Sequence, residues 1–242
     1  MRSMRNWSPR RAAPAPIARR HGRATMNSPR SNSTGSRATL LAVLAISLAG
    51  SAALYYGSSG FRAISTEAAR RIEVAERPLR LPPATLGGAD GAARLLADEL
   101  ARDGRITLVT FIYARCQSIC RVVGTELQQM QDEIRARGAA DKVRLVTISF
   151  DPRDDARALT QYGRMMKSDP DVWRLYGIPN DAERRRLLDA FGVIVVPAPL
   201  GEFEHNAAFH VVGRDGRLVR ILDYTEPGAA LDDALARAAE RT

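Results

Sequence analysis

Buried-type strands alternating with amphipathic helices, then a turn-glycine hairpin and a last helix, predict an α/β domain. An uncharged apolar stretch ahead of that domain predicts one membrane segment. The charge distribution agrees with both. The 242 residues carry 36 Lys and Arg against 27 Asp and Glu, a formal net charge of +9. Nine arginines lie in residues 1–37, which hold no acid, leaving 27 bases against 27 acids in the rest. A body so balanced does not read as a nucleic-acid-binding domain, whose charge sits on the gripping face, and no nucleic-acid partner is expected. Two cysteines exclude a disulfide-rich scaffold, and ordinary apolar content excludes wholesale disorder or many membrane spans.

Residues 1–37, rich in Arg, Pro, Ser and Asn, read as a disordered basic arm. Residues Ala38–Phe61 carry no charge, and Leu40–Tyr56 is nearly all apolar or small. About 20 helical residues cross a hydrocarbon core, so this stretch predicts a transmembrane anchor; a cleaved signal peptide is the competing reading. Tyr55 and Tyr56 at its far end suit an interfacial anchor. Arginines before the stretch stay cytoplasmic, which predicts an inner-membrane protein with a single span and its C-terminal domain in the periplasm. A start at Met26 would leave only Arg30 and Arg37 ahead of the span, with the same orientation.

Residues 62–84 read as a short helix and an extended tether containing Pro78, Pro82 and Pro83, and residues 85–242 as the folded domain. Ala92–Arg102 has helical spacing. Ile106–Tyr113 and Val143–Phe150 are β-branched and aromatic runs of the kind buried central strands show. Between them, Val123, Leu127, Met130 and Ile134 form one apolar stripe, ended by Gly138. Asp154–Lys167 and Asp181–Phe191 read as helices. Ala207–Val212 and Leu218–Leu222 flank Arg214-Asp215-Gly216 as a hairpin, and Pro227–Arg241 closes the chain as a helix. That order is the order of a thioredoxin-like domain.

The two cysteines, Cys116 and Cys120, lie between a buried strand and an amphipathic helix. A helix N-terminus, with Arg115 and Arg121 alongside, favours thiolate there. A plain disulfide is the bland reading, yet so short a loop would gain little entropic stabilisation from one. Redox exchange ordinarily has two residues between the cysteines, and three stand here, which shifts weight towards metal. Two thiolates often take an imidazole as third ligand. His205 lies in a polar stretch entering the hairpin and is the candidate; His210, inside an apolar run, reads as a packed strand residue. Such a set suits Cu(I), with Cu(II) second. A structural zinc would want a fourth ligand, for which Asp151 is the nearest suggestion, although Asp151-Pro152 reads by default as a strand end.

Phe111-Ile-Tyr-Ala-Arg-Cys-Gln-Ser-Ile-Cys resembles the F-x-Y-T-x-C-x-x-x-C signature of SCO/SenC copper proteins. Thr147-Ile-Ser-Phe-Asp-Pro-Arg-Asp-Asp resembles their S-x-D-P-x-x-D block, and His205 stands before Gly216 at the spacing of the family's copper histidine. The resemblance covers roughly Ile106–Leu222. It implies a membrane-tethered thioredoxin-like domain holding copper through Cys116, Cys120 and His205. It also implies a metallochaperone or thiol-reductant role in maturing the Cu-A site of a cytochrome c oxidase subunit. No small-molecule substrate is expected. The chain departs from the family where Gln117 and Arg121 replace a proline after each cysteine, where Ala114 replaces Thr, and where helix-like Ala92–Leu100 replaces a sheet-forming segment. The alternative function is a thiol-disulfide oxidoreductase using Cys116 and Cys120 on an exported client. A membrane-anchored interaction domain with an incidental disulfide ranks third.

Overall fold

The computed structural model describes residues 33–57, 65–116 and 119–240. Most of the basic arm, the Met26 start, the end of the apolar stretch at Phe61, and Gln117 lie outside them.

Helix α1 runs Ser33–Gly57. Its Arg37–Gly57 portion, 21 residues with mean hydropathy 1.9, is long and apolar enough to cross a membrane. Leu40, Leu44, Ile46 and Leu48 are exposed on it, and the Tyr55 and Tyr56 rings meet edge to face near its end.

The domain is one mixed sheet with helices packed on it. Helix α2 (Thr66–Glu76) is capped by Ser65, whose hydroxyl accepts from the Ala68 N–H. The strands that follow are β1 (Leu79–Arg80), β2 (Thr85–Gly88), β3 (Ala93–Leu95), β4 (Ile106–Ile112), β5 (Val143–Ser149), β6 (Trp173–Gly177), β7 (Val195–Pro197), β8 (Phe203–His205), β9 (Ala208–Val212) and β10 (Arg217–Asp223). Helices α3 (Ile119–Ala136), α4 (Ala156–Met165), α5 (Asp181–Phe191) and α6 (Pro227–Ala239) stand between or after them. Eight strands form the sheet in the order β1-β10-β9-β4-β5-β6-β2-β3, while β7 and β8 pair apart from it. Strands β4, β5 and β6 are parallel, as their helical crossovers require, and the flanking pairs are antiparallel. All seven residues of β4 and of β5 are buried, so the continuous apolar runs are strands covered on both faces.

Two expectations change. Ala92–Arg102 is not a helix: Gly91, at φ 80°, turns β2 back into β3, and Asp90 accepts from the Ala92 N–H at 3.0 Å. Winding starts only at Leu96, and Asp98–Arg102 forms one π-type turn that buries Glu99 against Arg144 at 3.1 Å and the Tyr176 hydroxyl at 2.5 Å. The sheet-forming segment read as missing is therefore present as β2 and β3. The stretch read as a tether is also partly in the fold. Leu79 pairs with Leu218, and Arg71 of α2 reaches Asp223 at 3.1 Å.

Candidate metal centre

Strand β4 delivers a turn whose first anchor is Tyr113, and the Cys116 N–H closes it on the Tyr113 carbonyl at 3.2 Å. Cys120 lies in the first turn of α3 and its N–H donates to Cys116 Sγ at 3.4 Å. A helix N-terminus with free N–H groups is a natural place to hold a sulfur. Both cysteines are buried and not joined in a disulfide. The expectation of easily formed thiolates fails for Cys120. The neighbouring Cys116 sulfur, and burial after it, push its thiol above the ordinary range. Beside the turn, Arg115 Nη2 lies 3.1 Å from Asp151 Oδ2.

Strand β8 brings His205 across, paired with Val195 of β7. Its Nε2 stands 3.7 Å from Cys120 Sγ, and its Nδ1 lies 3.0 Å from the Asn206 carbonyl oxygen. A carbonyl only accepts, so Nδ1 carries the proton and the Nε2 lone pair faces the sulfur. That is the tautomer a soft metal ion needs. Phe150 packs at 4.9 Å between ring centroids and Tyr113 at 6.3 Å, which fixes the ring's tilt. Among the described residues, no group of three or more His, Cys, Asp or Glu side chains is gathered around one point. The imidazole meets one sulfur, and the second is reached through the Cys120 N–H.

Residues without ligating atoms hold this arrangement. Asp154 Oδ2 accepts from the Ala114 N–H and the Ser149 hydroxyl, both at 2.6 Å, and so fixes the approach to Cys116. Burial raises its carboxyl above the ordinary range despite those two bonds, and Oδ1 is buried without a partner. Asp151, the suggested fourth ligand, is occupied instead. Burial alone would raise its carboxyl, but hydrogen bonds from Arg153 and Arg115 outweigh that and hold it low. Arg153 also stacks over Phe203 at 5.3 Å. Tyr113, pushed up by burial and by the Glu202 carboxylate, donates to Glu202 Oε2 at 2.6 Å.

His210 is where an apolar run predicts it, packed in β9. Its ring nitrogens face the Val109 and Phe191 carbonyl oxygens at 3.2 and 3.1 Å, and burial lowers its pKa to about 4. Sequence reasoning missed Arg153, Asp154 and Asn206 and assigned no role to Tyr113. The F-x-Y signature marks Tyr113, whereas Arg153 and Asp154 fall on the unspecified positions of the S-x-D-P-x-x-D block.

A protein of Bacillus subtilis described as a SCO1 protein homolog is 27% identical over 121 residues, covering 48% of this chain. The chain spans 61% of that relative's length. Bradyrhizobium japonicum ScoI, solved with copper bound, is 27% identical at a TM-score of 0.50, covering 65% of this chain and 99% of that one. BsSco is described as a member of the Sco family of cytochrome c oxidase assembly proteins with a disulfide switch. It matches at 23% identity and a TM-score of 0.58, covering 68% of this chain and 96% of that one. The SCO1/SenC family model matches residues 93–240, a span that holds the cysteine turn, the Asp-Pro motif and His205, and the chain belongs to that family.

Proposed function

We propose that this chain is a copper metallochaperone that holds one copper ion as cargo between Cys116, Cys120 and His205 and hands it to the Cu-A site of a cytochrome c oxidase subunit. The observation that carries the reading is the 3.7 Å approach of His205 Nε2 to Cys120 Sγ, with Nδ1 turned away to the Asn206 carbonyl. Two sulfurs and one imidazole suit Cu(I), which accepts three soft ligands. The copper-bound Bradyrhizobium japonicum relative and the BsSco description support the cargo and the client class. Helix α1 would anchor the domain in the inner membrane, and the arginines ahead of it favour a periplasmic domain.

The test is the copper content of the reduced full-length protein beside three variants. Near-stoichiometric copper in the wild type, lost in Cys116→Ser and Cys120→Ser and sharply weakened in His205→Ala, is expected. Undiminished affinity in His205→Ala would remove the three-ligand assignment.

The adjacency of two reduced, buried cysteines supports a second reading. As a thiol-disulfide oxidoreductase the chain would be oxidised to a Cys116–Cys120 disulfide while a client disulfide is reduced to two thiols. Stoichiometric exchange with a disulfide substrate by a protein that takes up no copper would favour it.

A further inference from the structure

A cavity of about 410 Å³ opens between α4, β6 and the β2–β3 hairpin, and the copper reading gives it no role. Its size falls within the range of small-molecule pockets. Leu159, Leu175, Trp173 and Tyr176 make its apolar part. Its charged part is one-sided: Arg94, Arg164, Lys167 and Arg174 against the single carboxylate of Asp90. Two of these cations are already engaged. Arg94 holds Asp90 at 2.8 Å, and Arg174 approaches Glu99 at 3.5 Å. The Arg164 guanidinium and the Lys167 ammonium have no hydrogen-bond or ion-pair partner among the described residues, although the Lys167 carbonyl accepts from Gln131 Nε2 at 3.1 Å.

The backbone supplies a second, independent observation. Lys167 sits at φ 54°, just past the end of α4, a left-handed position that ordinarily favours glycine. The helix end would close more easily without a side chain there. A lysine is kept, and it lines the cavity. Gly163 on the same wall lets α4 approach β6 closely, since an added Cβ would meet Leu175 Cδ1 at 3.2 Å.

We propose that this cavity binds a small organic anion, an apolar body carrying one acidic group, with Arg164 and Lys167 taking the acid. The assignment is independent of the copper reading and needs no metal. Isothermal titration of 4-phenylbutyrate into the full-length protein in nanodiscs, with empty nanodiscs as reference, tests it. Binding with a Kd below about 1 mM is expected, and the neutral isostere 4-phenylbutanol should bind at least about fivefold more weakly. The double charge reversal Arg164→Glu with Lys167→Glu, at exposed positions, should raise Kd about tenfold or more. Lys167→Gly separates binding from structure: it should weaken binding while raising the melting temperature. No binding at millimolar concentration overturns the proposal. So does equal affinity for the neutral isostere, or unchanged affinity in the charge-reversed protein.

Discussion

Arg153 Nη2 donates to the Gly201 carbonyl oxygen at 2.7 Å, and this bond joins the loop behind the cysteines to the hairpin that carries His205. The same guanidinium holds Asp151, whose carboxylate also holds Arg115 beside Cys116. One side chain thereby couples the sulfur half of the site to the imidazole half.

Removing that strut leaves every ligand in place but frees their spacing. Arg153→Ala is expected to weaken Cu(I) affinity by about tenfold, the scale seen when groups supporting metal ligands are lost. In an Arg153→Ala, His205→Ala double variant the two losses should not add, because the strut acts through the histidine. Arg153→Lys keeps the charge but not the fork, and should rescue only in part. Competition titrations against a Cu(I) chelator read the wild type and the four variants; additive losses would place the effect elsewhere.

Asp154 predicts a stability effect that depends on pH. Its folded carboxyl is raised above the unfolded value by burial. The protonated form therefore favours folding below the unfolded pKa, and that contribution is lost as pH rises through the folded pKa. At neutral pH a charge is buried at a cost. Asp154→Asn removes the buried charge and keeps an acceptor for the Ala114 and Ser149 donors. It should stabilise the domain by about 1 kcal/mol at pH 7, with the gain fading in acid. Asp154→Ala strands both donors and should cost about 1–3 kcal/mol. Urea melts at pH 4 and pH 7 distinguish the signs.

His210 has the opposite signature. Burial depresses its pKa to about 4, so the fold keeps it neutral where the unfolded chain takes up a proton. Stability attributable to it is full above the unfolded value near 6.5 and falls away as pH drops towards 4, by roughly 3 kcal/mol in all. His210→Gln retains a donor for one of the two carbonyls and cannot titrate. It should flatten the acid limb of the stability profile by about one proton. An unchanged slope would mean that another group controls that limb.

The long central strands are legible in the sequence because β4 and β5 are buried on both faces, so neither run needs an alternating pattern. Helix α5 is legible at both ends, through the Asn180 cap and the left-handed Gly192. The strands β1, β3, β7 and β8 are not, since two or three residues carry no periodicity and their pairing is decided by distant partners. Strand β6 hides for another reason: Arg174 interrupts its apolar residues. The site divides the same way. Cys116, Cys120 and His205 stand out by residue type alone. Their supports do not, because Tyr113 reaches Glu202, Ala114 reaches Asp154 and Arg153 reaches Gly201 across long stretches of chain that only the fold closes.

Leu200 and Gly201, neighbours in the turn between β7 and β8, should respond to substitution with opposite signs. Leu200 holds φ 61° and its side chain is fully exposed, so it bears the cost of a left-handed backbone with no packing in return. Leu200→Gly removes that cost, partly offset by the greater freedom of glycine in the unfolded chain, and should stabilise by about 0.5–1 kcal/mol. Gly201 holds φ 75°, and an added Cβ would stand 2.9 Å from Arg153 Nη1. Gly201→Ala should therefore destabilise the turn and push Arg153 off the Gly201 carbonyl, lowering copper affinity as Arg153→Ala does. Melting temperatures and Cu(I) affinities of the two variants, measured side by side, test the strut through the backbone without touching a charged group. If Gly201→Ala lost stability but kept full affinity, the bond from Arg153 to Gly201 would not be what holds His205 in reach of Cys120.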